Sequence, residues 1–137
     1  VSSIFGIFSV PGQASYNAAK FAVRGFTESL HQEMAISSHP VAVTTVHPGG
    51  IKTAIMRNAT TADGVDRASL TTLFDQKLTR TTPEKAARVV LDGVRKKKAR
   101  VLIGADATAL DLIVRIAGPR YQGLFSSAIS RFLPVAH

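Results

Sequence analysis

The 137-residue chain contains no cysteine and no tryptophan. Without thiols it can hold no disulfide framework, no thiolate zinc site and no cysteine nucleophile, and a reducing, cytoplasmic setting is the one expected. No run reaches the ~20 apolar residues that a membrane-spanning helix requires. No basic stretch precedes the apolar opening, so a signal peptide is not expected. The four histidines (His31, His39, His47, His137) show neither HxH nor HxxxH spacing, and no metal site is expected. Acidic side chains are scarce, 9 against 17 basic, which leaves a net charge of +8.

What remains is globular in character, with 45% hydrophobic and 19% charged residues. The length suits one domain with a real core. The positive charge is local. Residues 1–76 are balanced, whereas residues 77–100 carry nine basic side chains against Glu84 and Asp92. No aromatic residue interleaves Arg95, Lys96, Lys97 and Lys98. Cations at a helix C-terminus complement its dipole, so the cluster reads as a solvated helix end. A nucleic-acid partner is not expected.

Val1 opens the sequence inside an apolar run, so residues 1–3 read as the end of a strand in a chain cut at its start. Helical periodicity runs from 14 to 36, stopped by Ser37, Ser38 and Pro40. A β-branched run at 41–46 predicts a buried strand that ends in a turn at His47-Pro48-Gly49-Gly50. Residues 53–82 form a long polar stretch, the expected substrate loop. Thr82-Pro83-Glu84 carries the marks of a helix start, and Ala86, Val89, Val90 and Val94 mark that helix's apolar stripe. A second strand is predicted at 100–103, followed by a helical extension over 105–137 with helices near 107–116 and 121–133. Alternation of helix and strand predicts an α/β fold with a parallel sheet.

Tyr16 and Lys20 stand four apart at the start of the first helix and share one face. A phenol is a poor base at neutral pH, and a neighbouring ammonium favours its ionised form, enabling proton exchange with an alcohol or ketone. Chance alone would supply roughly 0.1 such pairs in a chain of this composition, so the pair by itself is weak. It has company: Ser3 lies at the end of the strand-like run before Tyr16, and Pro48-Gly49 follows the next strand, with Thr53 four residues on.

VSSIFG with Ser3, SYNAAKFA with the YxxxK pair, and VHPGGIKT with Pro48, Gly49 and Thr53 together resemble the short-chain dehydrogenase/reductase family. The resemblance implies the C-terminal portion of a Rossmann-type doubly wound parallel sheet, with residues 1–137 forming part of a single domain. It implies an oxidoreductase transferring hydride between NAD or NADP and a secondary alcohol or ketone. Tyr16 would be the acid/base, Ser3 would hold the carbonyl oxygen, and Lys20 would stabilise the Tyr16 phenolate and bind the nicotinamide ribose. Tyr16, Lys20, Pro48, Gly49, Ile51 and Thr53 would line the cofactor.

The glycine-rich turn that approaches a pyrophosphate has no counterpart here, since no GxG occurs in the sequence. This chain alone is therefore expected to bind dinucleotide weakly or not at all. A small-molecule substrate and a homo-oligomeric full-length protein are the partners implied. Two other classes remain open from the residues: a non-catalytic fragment used for oligomerisation, and a basic module for nucleic acid or an anionic surface.

Overall fold

The computed structural model describes residues 1–53 and 81–129. Two short apolar runs pair in parallel as β1 (Thr45–Pro48) and β2 (Arg100–Ile103), with Thr45 opposite Arg100 and Pro48 opposite Ile103. Alternation along each strand sorts the side chains onto two faces. Val46, Val101 and Ile103 point to one face, where they pack with Ala86, Val89 and Val90. Leu102 points to the other, among Ile7, Phe8 and Tyr121.

Around these strands the order is α1 (Ala14–Ile36), β1, α2 (Pro83–Arg95), β2, α3 (Ala105–Ala117) and α4 (Tyr121–Ile129). This is the α/β alternation expected, a partial Rossmann-like arrangement. Residues 1–3 run beside β1 on the side away from β2. Ser2 N–H donates to Val46 O at 2.8 Å, and a 3-10 turn follows at once over Ile4–Gly6. The bond ties this first run to the edge of β1, although the run is too short to form a regular strand and the sheet among the described residues has two strands.

The strand predicted at 41–46 is shifted to Thr45–Pro48. Pairing decides its limits: Thr45 N–H reaches Ala99 O, Gly49 N–H reaches Ile103 O, and β2 offers only the four residues Arg100–Ile103 to pair with. Pro48 is tolerated because the alternate residues Thr45 and Gly49 supply the donors facing β2. Val41 stays exposed, and His31 Nδ1 donates to Val43 O at 3.1 Å.

Helix α1 has the predicted limits. In α2, Thr82 Oγ1 accepts from Lys85 N–H at 3.3 Å, the expected cap, with Pro83 in the first turn. Its stripe is turned slightly from the expected one: Val94 is half exposed, while Gly93 is buried against Val101. Having no side chain, Gly93 lets the helix close onto the strand. Of the proposed loop at 53–82 only residues 53, 81 and 82 are described, and the predicted helix at 121–133 is described through Ile129.

An ion-pair chain fixes α1 and α3 on the same face of the sheet. Arg100 bonds Glu28 of α1 at 2.6 Å and Asp111 of α3 at 3.2 Å, while Arg24 and Arg115 hold the outer flanks of these carboxylates at 3.0 and 2.7 Å. Asp111 is buried, so the pairing offsets a charge that could not stand there alone.

Candidate active site

The strands run in one direction, so the chain leaves each of them at the same edge of the sheet, which is where α/β folds place their ligand crevices. Ser3 leaves the first run, Pro48 leaves β1 and Gly104 leaves β2 at this edge. Tyr16 enters it from the first turn of α1.

Ser3 is buried, and its Oγ accepts the Phe5 N–H at 3.2 Å, capping the 3-10 turn. Phe5 in turn sets its ring edge-on to the Tyr16 ring, with centroids 6.0 Å apart. Phe5 thus ties Ser3 and Tyr16 into one cluster. Lys20 Nζ lies 5.4 Å from the Tyr16 ring centroid, over its face, and Tyr16 is 39% exposed. Ser2 Oγ donates to Lys20 O at 2.8 Å, so the end of the first run is stitched to the helix turn that carries the lysine. Gly6 lets this happen, because a β-carbon there would lie 2.7 Å from the same Lys20 carbonyl.

The turn after β1 is held from three sides. Gly49 N–H donates to Ile103 O at 2.9 Å, Gly50 N–H to Asp106 Oδ2 at 2.9 Å, and Gly50 O accepts from Thr81 N–H at 3.2 Å. Lys52 N–H closes onto Thr81 O at 2.9 Å. Bonds from the residues on either side of Ile51 place that residue in a parallel bridge with Thr81, so its own N–H and C=O point away from Thr81. Pro48, Gly49 and Ile51 are half-buried, and Thr53 is exposed.

Three groups escaped the sequence reading. His47, expected in a turn, is wholly buried in β1, and its Nδ1 donates to Ser3 O at 2.9 Å. Burial holds its ionisation below the usual imidazole range, and the cations Arg100 and Arg24 add to this. The Ser3 carbonyl and Glu28 oppose it. Its phase with Thr45 on one strand face was the available signal. Asp106 reads only as an acid in a helix's first turn. Asn17, beside Tyr16, is buried with Nδ2 donating to Val10 O at 3.1 Å.

Helix α4 packs over the chain that follows Ser3. Tyr121 Oη accepts from Ser9 N–H at 3.2 Å, and the Phe125 ring meets Phe8 edge-on at 5.1 Å. Among the described residues no cluster of ligating side chains could hold a metal ion. No described helix is long and apolar enough to cross a membrane.

The sequence profile of the family described as short chain dehydrogenase matches residues 1–64. SadH of Mycobacterium tuberculosis, a protein named as an oxidoreductase, is 54% identical over 136 residues, which are 99% of this chain and 49% of SadH. Dehydrogenase/reductase SDR family member 7B of Xenopus tropicalis is 32% identical over 93% of this chain and 40% of its own length. The mouse protein of that name is 35% identical over 91% and 36%. The chain spans about half the length, or less, of these relatives. Over that span the likeness is continuous and includes the run from Ser3 to Thr53, so the chain belongs to the short-chain dehydrogenase/reductase family.

Proposed function

We propose that the full-length protein is an oxidoreductase that moves a hydride between NAD(H) or NADP(H) and a secondary alcohol or ketone, with Tyr16 exchanging the proton. The observation that carries this reading is the Tyr16–Lys20 pair. The Lys20 ammonium stands over the face of a partly exposed phenol ring, which puts a positive charge beside the group proposed to give up its proton. Ser3 Oγ already accepts the Phe5 N–H, so its own proton is left to donate to a carbonyl oxygen.

The residues present fit the nicotinamide end of a dinucleotide. Ile51 turns its N–H and C=O away from Thr81, a donor and acceptor pair suited to a carboxamide. Pro48 and Gly49 offer a surface of little bulk, and Thr53 adds an exposed hydroxyl. Lys20 has the charge and reach to hold ribose hydroxyls. When bound, the cofactor supplies or removes the hydride.

The chain's own residues do the rest. Ser3 fixes the substrate oxygen. As the carbonyl carbon gains hydride, that oxygen takes the proton from Tyr16 Oη, leaving a phenolate that Lys20 stabilises. In the oxidising direction the phenolate removes the hydroxyl proton. Such proton transfer contributes typically ~10²–10⁴-fold.

The test is turnover of a panel of ketones with NADH and NADPH by the full-length protein. The reading expects reduced dinucleotide to be consumed in step with alcohol formed. Absence of turnover with every ketone, and with the matching alcohols in reverse, contradicts it.

A further inference from the structure

Asp106 stands in the first turn of α3, yet its carboxylate reaches back to the end of β1, where Oδ2 accepts the Gly50 N–H at 2.9 Å. Two glycines make room for it. A β-carbon on Gly49 would lie 2.7 Å from both Cγ and Oδ1 of Asp106, and one on Gly104 would meet the same carboxylate from the other side. Gly104 also has φ +100°, a conformation that other residues rarely adopt. The carboxylate is thus seated between the chain leaving β1 and the chain leaving β2.

We infer that Asp106 is a positioning residue: its carboxylate fixes the Gly49–Gly50 turn, and through it the Ile51 main chain that faces the nicotinamide. This rests on the reading of the site given above. A bond from a main-chain N–H to a carboxylate is about twice as strong as its neutral counterpart. The helix N-terminus favours the negative charge where it stands. A turn containing two glycines has no side chains of its own at those positions to hold it, so the anchor must come from elsewhere. Displacement of a binding group by about 1 Å can cost ~10²-fold in rate.

The experiment uses the full-length protein with Asp106→Ala, Asp106→Asn, Gly49→Ala and the double variant Gly49→Ala/Asp106→Ala. Dinucleotide affinity is measured by titration without turnover, KM is measured for both substrates, and exchange of the Gly50 amide is followed by NMR. Asp106→Ala is expected to weaken dinucleotide affinity about tenfold, equivalent to ~1.4 kcal/mol, while the KM for the ketone changes little. Gly50 amide exchange should accelerate. Asp106→Asn keeps an acceptor oxygen and should recover part of the affinity. Gly49→Ala should lower the melting temperature, and the double variant should regain part of that loss because the atoms the new methyl meets are gone.

Unchanged Gly50 exchange in Asp106→Ala, or strictly additive losses in the double variant, overturns the proposal. Equal loss of affinity for both substrates also overturns it, since that marks general damage. If the parent protein binds no dinucleotide, the reading of the site fails and the role proposed for Asp106 in binding falls with it. Gly50 exchange still reports separately whether Asp106 holds the turn.

Discussion

The buried ring of His47 holds the main-chain oxygen of Ser3 at 2.9 Å, joining two segments 44 residues apart in sequence. Through this bond the strand that leads into the Pro48-Gly49 turn also positions the residue proposed to meet the substrate oxygen. The proposed placement of Ser3 and folding stability therefore share one side chain.

His47 should make stability depend on pH. Burial disfavours its imidazolium, so it ionises below its ordinary value of 6.5 in the fold and near that value when unfolded. The unfolded chain then takes up a proton that the folded chain refuses. This contribution is complete above about pH 7, falls as the pH drops through 6.5, and levels off below the folded-state value. Urea denaturation between about pH 5 and 8 should show the slope. In His47→Asn, which can still donate to Ser3 O but does not titrate, the slope should be shallower.

Arg100 should be the costly member of the ion-pair chain to lose. Arg100→Leu leaves the buried Asp111 with Arg115 alone, and a loss of roughly 2–3 kcal/mol in unfolding free energy is expected. Burial would raise the Glu28 carboxyl, but hydrogen bonds from Arg100 and Arg24 outweigh it and hold Glu28 below its ordinary value of 4.5. Its stabilising contribution is therefore present above about pH 4.5 and is lost as the pH falls through the lowered value. An NMR titration should find the Glu28 midpoint moved upward in Arg100→Leu.

Thr82 caps α2 through a single side-chain oxygen. Thr82→Ala should cost about 1 kcal/mol in stability, read as a lower denaturation midpoint with unchanged slope.

Ser3→Ala removes the hydroxyl proposed to hold the substrate oxygen. By comparison with the loss of one donor to a reacting oxygen, kcat should fall about 10²-fold, with dinucleotide affinity retained. An unchanged kcat would remove Ser3 from the mechanism.

Much of this arrangement was legible in local patterns. The limits of α1, the cap of α2 and the span of β2 follow from periodicity and turn chemistry carried by adjacent residues. The facing of Tyr16 and Lys20 follows from their spacing of four. Pairing across the sheet was not legible: β1 lies where Ala99 accepts from Thr45 and Ile103 from Gly49 just past its end, later than its β-branched run suggested. His47 and Asp106 were missed for a related reason. Their partners lie 44 and 56 residues away, and a lone histidine or a first-turn aspartate carries no local mark of such a contact. The apolar stripe of α2 was misplaced because Gly93, with no side chain to count, is the position that touches Val101.

The central claim is that Tyr16 transfers the proton, and one substitution removes only the group that does so. In the full-length protein, Tyr16→Phe keeps the ring against Phe5 and beneath Lys20 but has no hydroxyl. The measurement is kcat for ketone reduction at saturating dinucleotide, with affinity and melting temperature as controls. The account expects a fall of about 10²–10⁴-fold with fold and binding intact. Retention of full activity by Tyr16→Phe would contradict it.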